Sequence, residues 1–292
     1  MSRIHVRTCL HATHTSFAAL AIAALVLLSG CAPASQHGAS RYFEGKALEL
    51  AIASERGDAK EIARLMKDEG VNPDKIFSSK EGVPLIAWPL RAENLDGLRA
   101  MLENGADPNA RIVKHLHGED YHFNNAMVYA SKMEDPRYLK LLMEHGGDGN
   151  TRNSNNEMLL LQAFIAGNKW KNVQTLVEQG ARINEENFGR GDSILSYYAG
   201  RGGFKQAYWL IEHGADPTLP TTSVIDPAAP PKYAMVEDIY WGITTPDNLP
   251  WQKKCQQWLI ARGIPRPPMP EHIRRTREAF KFPSREEDIP LL

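Results

Sequence analysis

His115, His117, Glu119 and His122 bring ligand chemistry to one short run, His115-Leu116-His117-Gly118-Glu119-Asp120-Tyr121-His122. In an extended strand alternate side chains share a face. His115 and His117 then point the same way, and His122 or Glu119 completes a set that suits zinc or copper. The spacing matches no established metal-site pattern, and no rigid frame is legible around it. A polar finger that touches a partner through His115, His117, Tyr121 and His122 is therefore the expected reading. A metal site on His115, His117 and His122 is its rival. His145 and His213 each stand directly before a glycine, where a last-turn histidine bonds free helix carbonyls. Gly189-Arg190-Gly191-Asp192-Ser193 contains Arg-Gly-Asp at a place where a loop wants glycine and aspartate for turning. The chain has no Gly-x-Ser-x-Gly, His-Glu-x-x-His, phosphate loop or Cys-x-x-Cys. A chain without catalytic activity or cofactor is expected.

Composition narrows the classes further. The 292 residues carry 34 basic and 35 acidic side chains, a net charge of -1. No strong field draws nucleic acid, and none is expected as a partner. There are three cysteines, Cys9, Cys31 and Cys255, too few for a disulfide framework. Cys255 falls in an amphipathic stretch and reads as a small core residue.

The elements that carry these residues are set by a repeat. Residues 98–111 (LRAMLENGADPNAR) return at 139–152 (LKLLMEHGGDGNTR), 173–186 (VQTLVEQGARINEE) and 207–220 (AYWLIEHGADPTLP). Each copy is an amphipathic helix with apolar residues at i, i+3 and i+4. Each stops at a glycine, Gly105, Gly146, Gly180 or Gly214, where a left-handed residue ends the helix. Weaker copies flank them, closing at Gly70 and Gly263. Successive closing glycines are 35, 41, 34, 34 and 49 residues apart. The second interval has seven extra residues in the loop between units, and the last has six in the equivalent loop. Nine more, around 244–251, are expected between the last two helices. Insertions on stacked units project outward, commonly where something binds.

A unit near 33 residues with a Gly-Ala-Asp finish resembles the ankyrin repeat. Gly191-Asp192-Ser193-Ile194-Leu195 stands where that family has Gly-x-Thr-Pro-Leu. Ala199 and Gly202-Gly203 follow, and Leu210-Ile211-Glu212-His213-Gly214-Ala215-Asp216-Pro217 closes the unit. The family's Thr-Pro-Leu-His is never intact; Val83-Pro84-Leu85-Ile86 keeps only Pro-Leu. The histidine that ties neighbouring loops in the family is therefore missing. The resemblance implies an all-α helix-turn-helix solenoid of about six units over 45–265, the first and last degenerate, with inserted loops. It also implies a protein-binding module. Counting back 17 residues from the closing glycines gives Trp88, Tyr129, Ala163 and Tyr197, a position that in the family looks onto the concave side. Two readings follow for Trp88, Tyr129 and Tyr197: a contact stripe across that surface, or rings packed between repeats. The contact surface is expected from that stripe and the inserted loops 111–124 and 218–232.

The ends carry other signals. Arg3, His5 and Arg7 precede an apolar run at 17–28, twelve residues long and short for a membrane span. It ends in Leu28-Ser29-Gly30-Cys31, which resembles a bacterial lipobox. The resemblance implies a signal peptide over 1–30, lipidation at Cys31 and a flexible tether over 31–44. Ala32, standing where aspartate would suggest inner-membrane retention, implies the outer membrane facing the periplasm. At the other end, 266–292 is a proline-rich segment followed by a short helix at 271–282 bearing Arg274, Arg275, Arg277 and Lys281. It reads as a cap on the last repeat or as a basic patch for lipid head groups or an acidic partner. Ankyrin-like lipoproteins resemble immunity proteins that trap a secreted effector such as a lipase. An envelope scaffold is the alternative binding role.

Overall fold

The computed structural model describes residues 38–79, 81–189, 191–221 and 232–291. The expected signal peptide, Cys31 and most of the second inserted loop lie outside these residues. The rest is a stack of six helix pairs. They are α1 (Gly45–Arg56) with α2 (Ala59–Ala63, widening to a π turn at Arg64–Asp68), α3 (Trp88–Arg91, led by a 3-10 turn at Leu85–Ala87) with α4 (Leu95–Glu103), and α5 (Ala126–Ser131) with α6 (Pro136–Glu144). Then come α7 (Leu159–Ile165) with α8 (Trp170–Glu178), α9 (Ile194–Ala199) with α10 (Phe204–Glu212), and α11 (Ala234–Trp241) with α12 (Leu249–Ile260). First helices pack on first helices and second on second, giving two layers. The all-α solenoid is therefore present as expected.

The core lies between the layers and runs the length of the stack. The second helices supply it through their i, i+3 pairs: Leu98 and Met101, Leu139 and Leu142, Val173 and Leu176, Ala207 and Leu210, all 0% exposed. No single unit could bury such a face alone. Each second helix ends at its glycine with φ of 93°, 89°, 90° and 96° at Gly105, Gly146, Gly180 and Gly214. A Cβ at any of these four would meet nothing within 4 Å. Backbone conformation, not crowding, is what demands glycine there.

Neighbouring loops are tied together without the family's histidine. The residue four positions after Gly70, Gly105, Gly146 and Gly180 accepts a backbone N–H from the next unit. Asp74 takes Asp107 N–H at 2.8 Å, Asn109 takes Asp148 at 2.8 Å, Asn150 takes Arg182 at 2.7 Å and Asn184 takes Asp216 at 2.8 Å. Asn109 and Asn184 also donate to the carbonyls of Gly146 and Gly214, at 2.9 and 3.0 Å. Each such bond contributes about 1 kcal/mol net, and their regular placement fixes the loop spacing.

Three expectations on element bounds are corrected. The tether expected over 31–44 stops short of 44, because Ala39 and Phe43 are buried at 0% and 3% against the first unit. The nine extra residues around 244–251 do not all form a connection. They are shared between a longer link and a longer helix, since α12 begins at Leu249 and has 12 residues where α10 has 9. The first inserted loop is also no plain loop; its hairpin is described below.

The C-terminal segment covers the last repeat. Trp241 donates its indole N–H to Pro267 O at 2.9 Å, and the Arg266 guanidinium lies 4.2 Å over its ring. The final helix α13 (Glu271–Ala279) turns Arg277 inward, where it bonds the carbonyls of Trp241 and Pro283 at 2.7 and 2.5 Å. Arg275 pairs with Glu271 at 2.9 Å.

Candidate partner-binding surface

Residues 111–124 project from the stack as a two-stranded hairpin, β1 (Val113–Leu116) and β2 (Glu119–His122). The strands pair Val113 with His122, Lys114 with Tyr121, His115 with Asp120 and Leu116 with Glu119. His117 and Gly118 form the turn with φ of 54° and 84°. Two left-handed residues in a two-residue turn match the right-handed twist of the strands they join. At the root, Phe123 donates its N–H to Ile112 O at 2.9 Å. All eight strand residues are exposed, including Val113, Leu116 and Tyr121 at 49%, 48% and 46%.

This geometry corrects the metal reading. His117 is at the turn, out of the strand alternation that was to align it with His115. His115 Nδ1 instead meets Asp120 Oδ1 across the strands at 2.9 Å, and His122 stands opposite Val113. No three His, Cys, Asp or Glu side chains among the described residues gather as a metal-binding group. His115 and Asp120 form an exposed polar pair, and Tyr121 and His122 lie on the strand nearer the next unit.

Between β2 and the loop of the next unit lies a polar groove of about 770 Å³. Its floor is built from three arginines. Arg152 holds the following loop by bonds to Glu185 Oε1 at 2.6 Å and to the carbonyls of Asn156, Glu186 and Asn187. Arg182 pairs with the same Glu185 at 2.9 Å. Arg111 differs: it donates to Arg152 O at 3.1 Å and makes no ion pair among the described residues. Burial pulls its pKa below the usual arginine value, against the opposing pull of the Asp148 charge.

The aromatic stripe divides. Trp88 is 0% exposed and cannot contact a partner. The chain before α1 folds over it, with Tyr42 and Phe43 at 5.2 and 5.4 Å, and its indole N–H bonds Glu55 Oε1 at 2.9 Å. Its expectation as a contact residue is corrected; it belongs to the core. Tyr129 and Tyr197 are half-buried, and burial raises the pKa of both hydroxyls. Arg201 lies 5.1 Å from the Phe164 ring and 5.6 Å from that of Tyr197; Arg91 similarly covers Tyr42 and Trp88 at 4.9 and 5.6 Å. These arginines were legible in the sequence. Trp88 to Arg91 and Tyr197 to Arg201 are i, i+3 and i, i+4 pairs, which meet on a helix.

The other residues singled out have structural roles. His145 and His213 bond the carbonyls of Leu141 and Trp209 at 2.9 and 2.7 Å, as helix ends require. Asp192 of the Arg-Gly-Asp run accepts the N–H of Phe188 and closes its loop. Cys255 is buried, and burial pushes its thiol up to about 12, which makes it inert.

A repeat solenoid with a hairpin finger defines a class, and comparison with known proteins supports the fold. The ankyrin repeat domain of Bcl-3, a member of the IkappaB protein family, has a TM-score of 0.53 to this chain, with 20% identity over 74% of this chain and 86% of that one. EF0377, an ankyrin repeat protein, gives a TM-score of 0.47 and 22% identity over 61% and 86%. The likeness to the Bcl-3 domain shows the fold to be that of an ankyrin-repeat solenoid. Among curated proteins, Protein PhlB of Serratia liquefaciens is 29% identical over 168 residues, 56% of this chain and 69% of that protein. No family model matches the chain.

Proposed function

We propose that this chain is a non-catalytic protein-binding lipoprotein. It is anchored through Cys31 to the outer membrane and faces the periplasm. The observation that carries the binding role is the exposed hairpin beside a groove whose half-buried Arg111 makes no ion pair among the described residues. A partner that inserts an acidic side chain beside β2 would supply one, and the Tyr121 and His122 side chains would flank the contact. Tyr129 and Tyr197 extend the surface along the first-helix layer. The N-terminal run and lipobox support the anchor.

Two narrower roles fit: an immunity protein that neutralises a secreted effector such as a lipase, and an envelope scaffold. Tagged full chain is the bait against envelope and secreted fractions, beside an Arg111→Ala/Tyr121→Ala variant. Loss of one dominant partner in the variant is expected, and that partner's own activity tells effector from housekeeping protein. Equal capture by both baits would remove the hairpin groove from the contact. A Cys31→Ser chain is expected to lose palmitate labelling and leave the membrane fraction; retention of both would overturn the anchor.

A further inference from the structure

We propose that the cavity between the last repeat and the C-terminal cap binds an organic ammonium group carried on an apolar arm, with Asp238 as its counter-ion. The cavity has about 580 Å³. Asp238 projects into it from α11, and its walls include Ile243, Ile273, Phe280 and Phe282. The Asp238 carboxylate makes no hydrogen bond and no ion pair with any described residue, although the side chain is partly buried. Such a group is costly to hold unless something completes it. The cost is visible in its acidity, which burial lifts from 3.8 to about 6.

The charged neighbours do not complete it. Glu237, next along α11, raises its pKa further. Arg201 lines the cavity, but its guanidinium lies over the Phe164 and Tyr197 rings of the repeat stack. Arg277 is committed to the carbonyls of Trp241 and Pro283. His272 lines the mouth and is exposed. Space is kept for the carboxylate: a Cβ at Gly200 would come within 3.3 Å of Asp238 Oδ2. At the rim, Phe280 and Phe282 stand 70% and 44% exposed. A cap that only sealed the stack would turn such rings inward. Two aromatic rings lining the same cavity as an unpaired, partly buried carboxylate form a receptor for a cation with an apolar stem, since ring faces and carboxylate both attract positive charge. An ammonium group delivered there gains the ion pair that the fold leaves open. The group has two sources with one chemistry: a lysine side chain of a protein partner, or a free amine.

The test is calorimetric titration of the full chain at pH 7.5 with phenethylamine, with 2-phenylethanol as the uncharged match. Saturable one-to-one binding of the amine is expected, with the alcohol at least about tenfold weaker, about 1.4 kcal/mol. Asp238→Asn should lose binding to the same degree. Phe280→Ala, on an exposed ring whose removal leaves the core intact, should weaken it several-fold. Equal binding of amine and alcohol, full affinity in Asp238→Asn, or no saturable heat up to millimolar amine would each overturn the site. Competition by Nα-acetyl-lysine amide as strong as by the free amine would assign it to a partner's lysine; competition by free amines alone would assign it to small molecules.

Discussion

Trp88 and Asp238 show how single side chains divide between holding the fold and leaving a surface open. Trp88 fills the joint between the first two units, and its indole N–H satisfies Glu55. Trp88→Ala removes that volume and the indole's bond to the buried Glu55 carboxylate. A loss of about 3–5 kcal/mol is expected in denaturant unfolding. Asp238 works the other way. Its carboxyl holds a proton more tightly in the fold than in the unfolded chain, at about 6 against 3.8. The folded state therefore binds the extra proton between those values, and stability falls as pH rises from about 4 to about 6. The two-unit shift sets the loss at neutral pH on the order of 2–3 kcal/mol. Glu237, Arg201, His272 and Arg277 are the charged or titratable groups around it, and none pairs with it. Asp238→Asn is expected to flatten that part of the pH profile and to raise Tm at pH 7.5 by roughly 4–8 °C. A melting series across pH 4–8 for both chains measures it, and a lower Tm in the variant would make the carboxylate a structural partner.

Among the elements, the hairpin of β1 and β2 is the one added to the stack rather than required by it. Its strand residues are all exposed, so its removal uncovers little apolar surface. Replacing 113–122 with a short glycine-serine link is expected to leave Tm within about 2 °C while abolishing partner capture. A large fall in Tm would mean that the finger braces the loops instead. The joint between the fourth and fifth pairs is built differently. There the consecutive helices approach least closely. The space is filled by rings: Trp170 meets Tyr198 and Trp209 edge-on at 5.3 and 5.2 Å, and Phe164 meets Tyr198 at 4.9 Å. Bulky side chains hold backbones apart, and their edge-to-face contacts recover the packing energy.

At the scale of the whole molecule, a solenoid has two ends that need covering. Tyr42 and Phe43 cover one, and the segment after α12 covers the other. Truncation after Ile264 would uncover Tyr240 and Trp241, now 2% and 0% exposed, and strand the carbonyl that Arg277 bonds. The expected loss is ~2–3 kcal/mol for each large side chain uncovered. A lower Tm and new binding of a hydrophobic dye are the readouts; a truncated chain that melts as the full one does would show the cap to be dispensable. The Asn and Asp ladder across the loops couples neighbouring units, so unfolding that starts at one end propagates along the stack.

The repeat, the helix pairs and their closing glycines were legible in the sequence. Helical periodicity and the φ > 0 requirement are local, and each repeats its signature at Gly105, Gly146, Gly180 and Gly214. The His145 and His213 end contacts were legible for the same reason. Tertiary structure alone decided the rest, because burial and pairing depend on what lies across space. Trp88 is core since residues 42–43 fold back over it, which no count from a glycine reveals. His117 leaves the His115 face because the chain reverses there, and Arg111 makes no ion pair among the described residues while Arg152 and Arg182 share Glu185. Asp238 is one acid among 35 in the sequence. Only the cap, arriving from more than thirty residues away, completes the cavity that Asp238 lines.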